Sequence, residues 1–235
     1  MSTRDADKRA LPPGRTDAPP PSSHLLSAIE GMRPVRTRSR FGALALVALA
    51  GLVTPAVVLA HHPYRSDLAS LPLAWVIAAA APWAAASVSA LSAALVPHSG
   101  NVLPAPGHAS RVAVTVLLAL AAFVFAASVH VEGGSLRPED APLTLRQSCV
   151  HCASVVLEIA VPFLFAGVYA LRHLVPDGRA RIGLALGAAG GAMGGLVLHF
   201  ICGFAGTTHV LIGHVGGTIL AAAAGAALLP ALLRP

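Results

Sequence analysis

After residue 40 the chain alternates between long apolar runs and short polar breaks, and the runs have the length of a bilayer. Crossing the roughly 30 Å hydrocarbon core takes about 20 apolar residues at 1.5 Å rise each. Runs of that size fall at about 41–60, 71–95, 111–130, 153–172, 182–202 and 210–229. Within them Ala, Leu, Val and Gly follow one another with no polar face, whereas a surface helix of a soluble protein keeps one. The pattern predicts an all-α, polytopic membrane protein with a six-transmembrane-helix bundle over residues 41–230. Pro55, Pro72, Pro82 and Pro162 lie within or at the start of runs, where they kink or initiate helices.

The first 40 residues are different in kind. Residues 1–23 carry Pro12, Pro13, Pro19, Pro20 and Pro21 among Ser, Asp and Arg, with almost nothing to bury, and are expected to be a disordered Pro-rich tail. Residues 24–40 form a short cytoplasmic helix followed by a basic juxtamembrane segment. Ser22 or Ser23 can cap that helix, Leu25, Leu26, Ile29 and Met32 give it one apolar face, and Gly31 and Pro34 stop it. So short a helix is marginal alone in water and suits a segment that folds on a partner or lies on the membrane surface.

Composition agrees with the pattern, at 55% hydrophobic and only 11% charged, and charge adds orientation. Cytoplasmic loops carry the excess of Lys and Arg. Arg4, Lys8, Arg9, Arg15, Arg33, Arg36, Arg38, Arg40, Arg111, Arg172, Arg179, Arg181 and Arg234 share one side, thirteen in all, against Arg65, Arg137 and Arg146 on the other. Both termini are therefore expected in the cytoplasm. The pI near 10.2 follows from this topology rather than from nucleic-acid binding, since no basic helix or aromatic platform accompanies the charge. No cleavable signal peptide is evident, and the first run reads as a retained helix.

Given that topology, the metal-type side chains gather at the outer face. His61 and His62 end the first span, His130 ends the third, Cys149, His151 and Cys152 precede the fourth, His199 and Cys202 close the fifth, and His209 and His214 open the sixth. His24, His98, His108 and His173 read as surface residues elsewhere. Cys149 and Cys152 form a single C-x-x-C. His199 and Cys202, three apart on a helix, share a face one turn apart and would complete a tetrahedral set, with His209 and His214 in reserve. Zinc or copper accepts such sulfur and nitrogen donors. The competing chemistry is redox: an oxidising outer compartment favours a thiol switch, and three cysteines leave one unpaired in any disulfide scheme.

Glu158 lies inside the fourth span, where a carboxylate is expensive and marks function or a buried partner; it and His130 and His151 are accessory candidates. Gly183, Gly187, Gly191 and Gly195 put four glycines on one face of the fifth span, which suits close helix packing. No nucleophile elbow, HExxH or phosphate-binding glycine loop is present, so no enzyme activity and no small-molecule substrate is indicated. A haem held by His130, His199 and His214 is conceivable, but no paired histidine ladder supports it.

The short helix ending in Met32-Arg33-Pro34-Val35-Arg36, the six spans, and the stretch Leu198-His199-Phe200-Ile201-Cys202 followed by His209 and Gly213-His214 resemble the NrsF-like bacterial membrane proteins, six-helix anti-sigma factors of the CarR type. The resemblance covers about residues 24–230. It implies an inner-membrane regulator in which Leu25, Leu26, Ile29, Met32, Arg33, Pro34, Val35 and Arg36 bind an extracytoplasmic-function (ECF) sigma factor. It further implies release by an outer-side stress signal, such as an oxidant, a heavy metal or photochemical singlet oxygen, received by the Cys/His residues. The alternatives are a small membrane metal- or redox-handling protein using the outer cluster and Glu158, and a structural subunit of a larger membrane assembly.

Overall fold

The computed structural model describes residues 40–95, 113–114, 117, 121, 144–172, 178–204 and 206–233. The chain divides into two units, Met1–Thr37 and Arg38–Pro235, and every helix described belongs to the second. Residues 24–36, expected to bind the partner, and His130 lie outside the described residues.

Among the described residues all regular structure is helical: α1 (Arg40–His61), a 3-10 turn (Leu68–Ser70), α2 (Leu73–Leu95), α3 (Leu145–Leu171), α4 (Arg179–Ile201) and α5 (Thr207–Leu232). Helices α2 to α5 are long and apolar enough to cross a bilayer, and α1 is apolar over Ala45–His61. The described residues thus account for four spanning helices of the six expected. Of the third expected span only Ala113, Val114, Leu117 and Ala121 are described, all helical.

The boundaries follow local chemistry. Pro72 initiates α2, its carbonyl accepting from Trp75 N at 2.9 Å. Helix α3 starts eight residues before the apolar run because Thr144 and Gln147 form a capping box: Gln147 N donates to Thr144 Oγ1 at 3.3 Å and Thr144 N to Gln147 Oε1 at 3.0 Å. Cys149, His151 and Cys152 therefore sit within α3 rather than ahead of it.

Helix α4 is the centre of the bundle and touches α1, α2, α3 and α5. Its glycines do not share one face as expected. Gly183, Gly187 and Gly191 meet Gly225, Ala221 and Thr218 of α5, whereas Gly195 meets the ring of Trp83 on α2. At Gly183 a Cβ would fall on the carbonyl of Gly225, and the reverse holds at Gly225, so the two backbones touch directly there. Buried hydroxyls add to these contacts: Thr218 Oγ1 donates to Gly191 O at 3.1 Å and Ser87 Oγ to Ala189 O at 2.9 Å.

Many outward-facing side chains are large and apolar, as a lipid-solvated surface favours, with Leu52 71% and Leu73 73% exposed; Glu158 on α3 is an exception. The loop after α1 folds onto the far end of α4, where Arg65 N donates to Phe200 O at 3.1 Å. There Arg65 is buried and forms a two-pronged ion pair with Asp67, at 2.6 Å for both contacts. This tie brings the C-terminal ends of α1 and α4 to one level, together with the N-terminal ends of α3 and α5.

Candidate metal centre

Three elements converge at that level. Cys149 and Cys152 lie one turn apart on the buried face of α3. Helix α4 ends at Ile201; Cys202 N still donates to Leu198 O at 2.8 Å, but its backbone has turned extended (φ −95, ψ 116). The chain leaves the helix there, and Cys202 is grouped apart from His199. Helix α5 contains a π-helical stretch, Val210–Val215. Five residues of α-helix make about 1.4 turns and would point His209 and His214 to different sides, whereas the i→i+5 repeat of a π turn stacks them. Their ring centroids are 5.4 Å apart. Gly213, inside this wide turn, lets α5 lie against α3: a Cβ there would stand 3.2 Å from Cys152 Cβ.

The outcome is a buried set of Cys152, Cys202, His209 and His214, whose donor atoms all lie within 4.8 Å of one another. A tetrahedral ion with bonds of about 2.3 Å to sulfur and about 2.0–2.1 Å to nitrogen needs edges of roughly 3.8 Å between sulfurs and roughly 3.6 Å between sulfur and nitrogen. The edges found are 3.6 Å for Cys152 Sγ to Cys202 Sγ, 3.4 Å for Cys152 Sγ to His209 Nε2, and 3.3 Å for Cys202 Sγ to His209 Nε2. These three edges are close to those of a tetrahedral ion and His214 lies within 4.8 Å of all three donors, so the set could hold one ion; two sulfurs with two imidazoles suit zinc or copper.

The surroundings also give His209 an outer partner. Ser148 Oγ lies 2.9 Å from Leu145 O and 3.2 Å from His209 Nδ1, so with its proton on the carbonyl the hydroxyl accepts from Nδ1–H. Nε2 is left with its lone pair facing the two sulfurs, the arrangement by which a second hydrogen bond orients a metal-binding histidine.

The expected residues are therefore regrouped. His209 and His214, expected in reserve, join Cys152 and Cys202 in the set. Cys149 stands behind His209, its Sγ 3.6 Å from Nδ1. His199 is buried elsewhere, its ring centroid 5.3 Å from those of Trp75 and Phe200. His151 and Glu158 are exposed on α3 and outside the set. All three cysteines are free thiols. Sequence reasoning missed Ser148, whose only signal is its place beside Cys149, and the buried Arg65–Asp67 pair, counted only as loop charge.

No curated protein and no solved structure matches the chain. One family does, described as NrsF, negative regulator of sigma F, and its match runs over residues 29–234, from within the expected partner-binding helix to the last residues of the chain. By that match the chain belongs to the NrsF family of negative regulators of a sigma factor.

Proposed function

We propose that the protein is a bacterial inner-membrane anti-sigma factor: its N-terminal segment holds an ECF sigma factor, and the Cys/His set at the opposite membrane face controls release. The family match over residues 29–234 carries this reading, because it joins the segment from Ile29 to Arg40 with the helical bundle in one regulator of a sigma factor. The excess of Arg and Lys in the first 40 residues supports a cytoplasmic N-terminus, six spans and an outward-facing metal centre. Leu25, Leu26, Ile29, Met32, Arg33, Pro34, Val35 and Arg36 are the proposed contact residues. The action is sequestration, not catalysis; four protein ligands leave no open position on an ion for a substrate or water.

Signal reception is a change at Cys152, Cys202, His209 and His214. Cys152 of α3, Cys202 at the end of α4 and His209 and His214 of α5 would hold a metal ion there, which would tie those three elements together. A two-electron oxidant would act oppositely: it would take two electrons from the two thiols of Cys152 and Cys202, which lose two protons as the S–S bond forms, and the resulting disulfide would no longer offer two thiolates to an ion. Moving a two-state regulator from 1:99 to 99:1 takes about 5.5 kcal/mol of differential binding. Zinc binding to a structural site releases about 10–16 kcal/mol, so a fraction of it suffices.

The test is affinity purification of the tagged full-length protein in mild detergent beside a version lacking residues 1–40, with mass spectrometry of co-purifying proteins. A sigma factor recovered with the full-length protein alone is the expected result. Recovery of no soluble partner, or of the same one with both versions, would overturn the proposal.

A further inference from the structure

A second group of histidines lies outside the buried set. His62 directly follows α1 and continues its hydrogen bonding, with His62 N donating to Val58 O at 2.9 Å. It is half-buried, and across from it stands His151, exposed on α3 between the two cysteines of the C-x-x-C. The ring centroids of His62 and His151 are 6.0 Å apart and the planes are tilted by 51°. His61 is turned away onto its own helix, Nδ1 donating to Val57 O at 2.8 Å.

We propose that His62 and His151 form a second, solvent-facing site for a divalent transition-metal ion, bridging α1 and α3. An ion about 2.0–2.1 Å from an imidazole nitrogen lies roughly 3 Å from that ring's centroid, so two rings on one ion sit about 5–6.5 Å apart, centroid to centroid. The observed separation of 6.0 Å falls toward the wide end of that range. Imidazole selects zinc, copper, nickel or cobalt over magnesium and calcium, which take oxygen. With only two protein ligands, water completes the shell, so this site is weaker and exchanges faster than the buried one.

Its position gives it a consequence. His151 and Cys152 are neighbours on α3, one facing solvent and the other the buried set, so the same turn of helix serves both sites. An ion on His62 and His151 also fastens the outer end of α1, the helix that continues from the N-terminal segment. The site stands on its own geometry and does not depend on the sigma-factor reading.

Purified full-length protein titrated with Co2+ separates the two sites, because only thiolate ligands give the near-ultraviolet charge-transfer band. Bound cobalt is measured by elemental analysis alongside the band. The expected result is that His62→Gln and His151→Gln, substitutions on two separate helices, each halve bound cobalt and leave the band unchanged. If the buried set takes no cobalt, the band is missing and the histidine variants instead abolish binding, which sustains this site and counts against the other. Bound cobalt equal to wild type in either correctly folded variant would overturn the proposal.

Discussion

Replacing Ser148 by Ala tests whether His209 is held ready for a metal by its outer partner. The substitution removes the oxygen 3.2 Å from His209 Nδ1 and leaves that N–H facing only Cys149 Sγ at 3.6 Å, a weak acceptor. The ring loses the outer partner that orients it toward the sulfurs. Loss of such a partner typically weakens metal binding about 10–100-fold, or about 1.4–2.7 kcal/mol. Folding moves little, since the only other hydrogen bond of Ser148 is to its own helix and Ala is the better helix former by up to about 0.5 kcal/mol. The assay is zinc competition against a chromophoric chelator in detergent, with helical content followed by circular dichroism. Affinity within about twofold of wild type would refute the orienting role. A loss as large as that of His209→Ala, with unchanged helicity, would show that the hydroxyl shapes the whole set rather than one ring.

Two further predictions follow from the same coordinates. Cys149→Ser leaves a zinc ion bound, whereas Cys202→Ser weakens binding more than about 100-fold, because only the second removes a ligand; equal losses in the same competition assay would place Cys149 on the ion. Gly183→Ala forces a methyl onto the carbonyl of Gly225, backbone that cannot rotate aside, and lowers stability by about 1–3 kcal/mol in detergent unfolding. Gly42→Ala, where a Cβ meets nothing within 4 Å, stays within about 0.5 kcal/mol and serves as control.

Much of the fold is legible in the residue pattern because lipid permits few solutions: apolar runs of bilayer length must satisfy their own backbone and become helices. The start of α3 was also written in the chain, as Thr144-Leu145-Arg146-Gln147, but Arg146, Gln147 and Ser148 dilute the hydropathy there. The Cys and His residues of the candidate set stand out in the sequence, but which of them come together depends on how the helices pack. Pairing His199 with Cys202 assumed helix through residue 202, and the backbone turns extended at Cys202. His209 and His214, named only as reserve ligands, are brought together by a π turn, which has no simple sequence signal. Ser148 and the Arg65–Asp67 pair act only through neighbours from other helices, so a reading along the chain had nothing to catch.

The wide turn in α5 also bears on which histidine of the candidate set is freer to shift. Tightening a π turn to α pitch displaces everything on one side of it by about one residue, roughly 1.5 Å of rise. On the C-terminal side the helix is locked, because Gly225 and Ala221 lie against the backbone of α4 at Gly183 and Gly187. On the N-terminal side stand only Thr207, Thr208 and His209, behind a short loop. The displacement therefore falls on His209, which would swing on the loop while His214 stays seated, making one imidazole the hinged jaw of the clamp and the other its anvil.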